Sequence, residues 1–326
     1  MAALITLVPA DPKLNFLGKR TLCLAFSAFL VIGSLVAFAV QGLNFGVDFR
    51  GGILMEVETA EPADVGALRA ELGGLGLGEV TLQEFGGPDV LLINVSRQDG
   101  GEEEQRAAIE EVQQVLGERV EEYRRIEFVG PKVGAELRQA GILATVLALA
   151  AIGVYIWLRF EWQFGLAALV ALAHDVIATV GFFAVTQIEF NLATLAAVLT
   201  IAGYSINDTV VVFDRVREML RKYKKMPMAE LLNMAVNKTL SRTLLTSVTT
   251  LLALVALAVF GGEVIRGFTS GLIWGVVIGT YSSVALAIPL LYYMGMRRDQ
   301  IPGGDDGEDA KASDAGAVDK AAKSTT

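Results

Sequence analysis

Apolar side chains fall into six long runs, and between the first and second the pattern breaks into short alternating segments. The runs occupy residues 21–40, 141–158, 162–185, 190–213, 243–260 and 268–294. At ~1.5 Å per residue each is long enough to cross a ~30 Å hydrocarbon core, so each predicts a transmembrane helix. The intervening stretch reads differently. Residues 51–58 alternate as a strand, and residues 62–72 have helical spacing opened by Pro62 and Asp64. Residues 79–85 and 90–96 read as two strands joined by the turn signal Gly86-Gly87-Pro88-Asp89. A charged amphipathic helix follows over 102–116, with Ile109, Val112, Val115 and Leu116 on one side, and a last strand over 123–129. The order β-α-β-β-α-β is the split pattern of ferredoxin-like α+β domains. The predicted fold class is therefore an α-helical polytopic membrane protein of six transmembrane helices, with a ferredoxin-like domain between the first two.

Charge orients this plan. Lys13, Lys19 and Arg20 precede the first run, whose Ala37-Phe38-Ala39 resembles a signal-peptidase site. A signal-peptide core spans only about 7–15 residues, and further spans follow, so the run is read as an uncleaved anchor. Six crossings return the C-terminus to the starting side. Arg159, the stretch 215–238 and Arg297-Arg298 then share a side with Lys19 and Arg20, which makes that side cytoplasmic. The expected divisions are a cytoplasmic N-terminus 1–20, a first helix 21–40 and an extracytoplasmic (periplasmic) domain 41–138. A five-helix region 139–296 and a disordered cytoplasmic tail 297–326 complete them. The stretch 215–238, with Arg217, Arg221, Lys222, Lys224 and Lys225, is expected as a basic loop. It would lie as an interfacial helix on anionic lipid, or contact a cytoplasmic partner. In the 41–138 segment acids outnumber bases about two to one, and the net charge is −9, which is no nucleic-acid signature. The single cysteine, Cys23, excludes a disulfide framework.

Candidate chemistry comes from polar groups inside apolar runs. Asp208, preceded by Asn207, interrupts the fourth run, and a carboxylate in hydrocarbon costs at least a few kcal/mol. Two readings stand: a structural carboxylate satisfied by Arg242 or by helix-helix hydrogen bonds, or a protonation site. His174, the chain's one histidine, and Asp175 lie near the middle of the third run, either as a structural pair or as a proton relay. Arg242, between Ser241 and Thr243, opens the fifth run at a depth comparable to Asp208. Ala202, Gly203, Ser205 and Thr209 are small enough to let neighbouring helices approach, and Gly275, Gly279 and Ser283 form a second small-residue stripe read as packing. The sequence has no G-x-x-x-x-G-K-[ST] loop, no H-E-x-x-H site and no G-x-S-x-G elbow, so nucleotide hydrolysis and intramembrane hydrolysis lack support. No enzyme activity, cofactor or metal is expected.

Five stretches carry a resemblance. They are Phe45-Gly46-Val47-Asp48-Phe49-Arg50-Gly51-Gly52, His174-Asp175, residues 202–218 around Asn207-Asp208, Ser241-Arg242-Thr243-Leu244-Leu245-Thr246-Ser247, and Gly279-Thr280-Tyr281-Ser282-Ser283. Together they resemble the SecF branch of the SecD/SecF family of protein-export membrane proteins, within the RND superfamily. Arg50 departs from it, standing where many relatives carry a small polar residue. The resemblance implies an RND-like half that pairs with SecD in the bacterial inner membrane and uses the proton-motive force to promote late stages of preprotein translocation. It implies the SecYEG channel, YajC and YidC as further partners, with both termini cytoplasmic. It implies proton conduction at Asp208 and Arg242. Asp175 and His174 join them as candidates, Asn207, Ser205 and Thr209 support them, and Asp48, Gly51 and Gly52 form the base of the outer domain. Two other readings stay open: a non-catalytic scaffold that stabilises the translocon, and a half-size RND-type exporter.

Overall fold

The computed structural model describes residues 14–98 and 100–296, so the tail 297–326 and most of the N-terminal segment 1–20 lie outside the described residues. Six helices are long and apolar enough to cross a membrane. The first is α1 (Arg20–Gln41), ended by Gly42 at φ 67°. A short α2 (Val47–Arg50) then leads into β1 (Gly52–Thr59). The sheet domain continues through α3 (Val65–Gly73), β2 (Val80–Glu84), β3 (Val90–Val95), α4 (Glu102–Leu116) and β4 (Val120–Val129). The remaining spans are α5 (Pro131–Arg159), α6 (Trp162–Thr186), α7 (Leu192–Lys222), α8 (Met228–Phe260) and α9 (Arg266–Ala285), the last extended by α10 (Ala287–Tyr293).

Local chemistry explains the boundaries. Asp64 caps α3 by accepting from the Gly66 and Ala67 amides, so this helix begins at Val65, after Pro62. Pro131 occupies the first turn of α5, where its missing N–H costs nothing. Asn191 and Thr194 exchange hydrogen bonds as a capping box at the start of α7.

The sheet runs in the order β2-β3-β1-β4 with every neighbour antiparallel. Ile53, Met55, Val57, Leu91 and Ile93 face α3 and α4, where they meet Leu68, Leu72, Val112 and Leu116. The opposite face is apolar near the membrane side, where Leu54 and Leu92 meet Val47. Both faces of β1 are thus covered, which is why its residues are buried almost without alternation. At the edge, β4 carries Arg124, Arg125 and Glu127, charges that discourage further strand pairing.

One expectation is corrected, and the sixth span carries a break within it. Residues 215–238 are not a basic loop: α7 runs on to Lys222, α8 starts at Met228, and only a five-residue connection separates them. Met219, Leu220, Leu231 and Leu232 from these extensions are buried against one another's helices and Phe213, so apolar packing outweighs the local charge density. The sixth run is also divided. Its helix breaks at Leu286, three residues before Pro289, whose ring cannot continue an α-helical ladder.

Candidate functional site

The three helices α6, α7 and α9 form the packed centre of the membrane region, and α9 supplies the close contacts. A Cβ on Gly275 would stand 2.3 Å from the Ile201 side chain, and one on Gly279 would stand 3.1 Å from Ser205 Cβ. The small residue Gly203 of α7, by contrast, points outward and meets nothing within 4 Å. Close approach therefore follows the Gly275–Gly279 stripe rather than Gly203.

Asp175 lies where these three helices meet and is fully buried. Its Oδ1 stands 2.8 Å from His174 Nδ1 on the same helix. Its Oδ2 accepts from Ser282 of α9 at 2.6 Å and from Ser205 of α7 in a short hydrogen bond. One carboxylate thereby ties α6 to both neighbours. His174 is also buried, its Nε2 lacks a hydrogen-bond partner, and its ring lies 6.4 Å from that of Tyr281. Tyr281 in turn donates to the Cys23 carbonyl and bonds Ser27, which links the group to α1.

Asp208 sits one helical turn beyond Ser205 and is nearly as buried. Its situation is otherwise the reverse of Asp175, because its Oδ2 has no hydrogen-bond partner. Arg242 acts on it electrostatically across a gap, without an ion pair among the described residues, and is itself exposed on α8. The adjacent Thr243 is buried, and its hydroxyl is also unpartnered. Thr209 bonds back to the Ser205 carbonyl at 3.3 Å, and Asn207 faces outward on the same side as Gly203. α7 extends sixteen residues before Asp208 and fourteen after it, but Asp214 pairs with Arg159 at 3.0 Å near the end of α5, so the carboxylate lies about two turns inside that charged end.

This arrangement separates two roles. Asp175 has its acceptor sites filled by three side chains, and any change in its charge must disturb all of them. Asp208 can take up or release a proton without breaking a protein hydrogen bond, and a cation stands close enough to respond.

The base of the sheet domain is built on the remaining predicted positions. Asp48 Oδ2 accepts from the Leu192 amide at 2.9 Å, capping the start of α7 from outside it. Gly51 and Gly52 have φ of 73° and 125°, and a Cβ on Gly52 would meet the Val95 carbonyl at 2.6 Å, so a side chain fits neither backbone nor space there. Gly134 of α5 packs against Gly51, with only 3.2 Å available to a Cβ. Phe49 stacks on Phe190, Phe45 meets both rings edge-on, and the Gly46 amide donates to the Phe190 carbonyl at 3.0 Å.

Sequence reasoning passed over two groups. Ser282 stands out in the sequence only as part of a motif, although its spacing from Gly275 and Gly279 puts it on the face that meets α7. Glu189, in the α6–α7 connection, is half-buried against Gly46. Burial pushes its carboxyl up, opposed by Arg125 of β4. Its position in a short polar connection gave no sign of this.

The family described as "Protein export membrane protein SecD/SecF, C-terminal" matches residues 108–297, and the "SecD/SecF GG Motif" matches residues 36–63. A protein translocase subunit SecF from Cereibacter sphaeroides is 48% identical over 91% of this chain and 94% of its own length. One from Rickettsia bellii is 45% identical over 88% of this chain and 95% of its own. The crystal structure of SecDF from Thermus thermophilus, described as a translocon-associated membrane protein, superposes with a TM-score of 0.81 at 34% identity. It covers 89% of this chain, which spans 40% of that longer one. A SecDF structure in a super-membrane-facing form gives a TM-score of 0.65 over the same shares.

Proposed function

The chain belongs to the SecD/SecF family of protein-export membrane proteins, and from that premise we propose that it is a proton-driven subunit of the protein translocase. In this reading it pairs with SecD in the bacterial inner membrane, beside the SecYEG channel with YajC and YidC, and draws preproteins through the late stages of crossing. The observation that carries the proposal is Asp208, a buried carboxylate at mid-helix with no hydrogen bond to lose and Arg242 within electrostatic reach. A proton moving down the membrane potential releases ~2.3 kcal/mol per 100 mV, enough to drive a conformational step where no nucleotide loop exists.

The placement of the outer domain belongs to the same proposal. Its sheet order supports a ferredoxin-like fold, and the basic ends of the spans support an extracytoplasmic position. Arg20, Arg159, Arg217 and Lys222 gather at the helix ends opposite the sheet, as the positive-inside rule asks of the cytoplasmic side. The lower overlap with the super-membrane-facing SecDF supports a domain that takes more than one position on its spans.

The test is gradient-dependent export in vesicles that hold the translocon, SecD and this chain. Asp208→Asn should remove the gradient-stimulated part of export and leave co-purification with SecD intact. Full stimulation in that variant would overturn the proposal. A non-catalytic scaffold is the second reading, favoured by the large outward apolar faces of α1, α5 and α8. It requires that export fall only as far as complex assembly falls.

A further inference from the structure

A second feature of the membrane region lies away from Asp208, at the seam between α5, α7 and the base of the outer domain. A cleft of about 250 Å³ opens there, walled by Phe45, Phe49, Phe190, Ile142, Val146 and Leu195. We propose that this cleft holds an acyl chain of an anionic phospholipid whose phosphate rests on Arg138.

Depth, lining and charge converge on that occupant. Arg138 and Arg159 lie on one continuous helix, and their separation is ~31 Å at ~1.5 Å per residue. That equals the ~30 Å thickness of a hydrocarbon core, so one arginine stands at each headgroup layer, Arg138 on the side of the sheet domain. Arg138 lines one end of the cleft, and the other α5 residues that line it begin at Gly141, one turn further in, which is where an acyl chain enters hydrocarbon.

Its walls are almost wholly apolar, and the Thr145 hydroxyl is already donated to the Gly141 carbonyl. Nothing in the slot asks for a polar ligand. The mouth is different: Arg138 is exposed and makes no hydrogen bond or ion pair among the described residues. Glu136 lies two positions away and so projects from another side of the helix. A guanidinium forms bidentate bonds to phosphate, and with no carboxylate beside it a net negative headgroup is favoured over a zwitterionic one. Ile142 and Val146 are 61% and 58% exposed, so the slot opens sideways to the bilayer rather than into the protein.

The experiment uses the full chain reconstituted in vesicles of equal phosphatidylethanolamine and phosphatidylglycerol. The protein is then extracted in mild detergent, and its retained lipid is counted by native mass spectrometry. The wild type should retain phosphatidylglycerol at roughly tenfold enrichment, the ratio of one charge-assisted contact. Arg138→Gln should lose the enrichment and keep the total lipid retained. Val146→Trp and Ile142→Trp, both at exposed positions, should lower the total, and thermal unfolding would establish that each has folded. Equal retention of the two lipids by the wild type would overturn the proposal, as would enrichment that survives Arg138→Gln. Crosslinking of the Val146→Cys variant to the span of another protein in the native membrane would assign the cleft to that protein instead and equally overturn it.

Discussion

The six spans divide into two sets that hydropathy does not separate. In α6, α7 and α9 with its extension, about half or more of the most apolar stretch is covered by protein, reaching 72% in the last. In α1, α5 and α8 the share is 6%, 11% and 17%. What differs is the kind of small and polar residue each set carries. The inner set has Asp175, Ser205, Ser282 and the glycines that let α9 approach α7. The outer set shows solvent or lipid its Leu, Val and Phe side chains, as with Leu22, Phe29 and Val259. In hydrocarbon an apolar surface gains nothing by burial against another, so packing and hydrogen bonding decide which helices go inside.

That contrast can be broken at Asp175. Asp175→Leu leaves the Ser205 hydroxyl buried without an acceptor and Ser282 with only the Gly279 carbonyl, and a loss of about 2–4 kcal/mol is expected in reversible unfolding in mixed micelles. Unchanged stability would move α6 into the outer set. A smaller effect is expected of packing alone. Gly275→Val must push into Ile201 and should cost about 1–3 kcal/mol. Gly33→Val on α1, where nothing lies within 4 Å of a Cβ, should stay within about 0.5 kcal/mol. Equal effects in the two glycine variants would erase the distinction.

Asp208→Asn sharpens the comparison from within the inner set. This carboxylate has no hydrogen bond to lose, so stability should change by less than about 0.5 kcal/mol while gradient-driven export fails. A loss as large as that of Asp175→Leu would make both carboxylates structural. The smallest effect concerns Glu189. Burial raises its pKa in the folded protein, so the folded state keeps its proton to higher pH than the unfolded chain does. Its contribution is complete below the ordinary carboxyl range and declines as pH rises through the raised value. Glu189→Gln should flatten the stability profile over that interval and raise stability above it, read from unfolding midpoints at a series of pH values.

Much of this arrangement is legible in the sequence, because the relevant signals are local. The alternating strands, the Asp64 cap and the charged face of α4 are each specified within one or two turns of chain, and the corresponding elements form within a few residues of their expected bounds. The extents of α7 and α8 were not legible. Arg217, Arg221 and Lys222 read as a polar loop, whereas Met219, Leu220 and Leu231 continue the helices by packing across a distance that the sequence does not display. The same holds for the site. Asp175 and Asp208 are both conspicuous as charges in apolar runs, but which one is satisfied depends on Ser282, more than a hundred positions away. Periodicity places Ser282 on a face of its helix and cannot say which helix that face meets.

The hydrogen bond from the Leu192 amide to Asp48 has a mechanical consequence. It joins the first turn of α7 to a residue four positions before β1, while Gly134 clamps Gly51 between them and α5. The joint couples two elements directly. On one side is the half of α7 that ends near Asp208, and on the other the whole sheet. A tilt of α7 at Asp208 would therefore be carried to the sheet through this one hydrogen bond and the close Gly51–Gly134 contact, and not through a flexible linker.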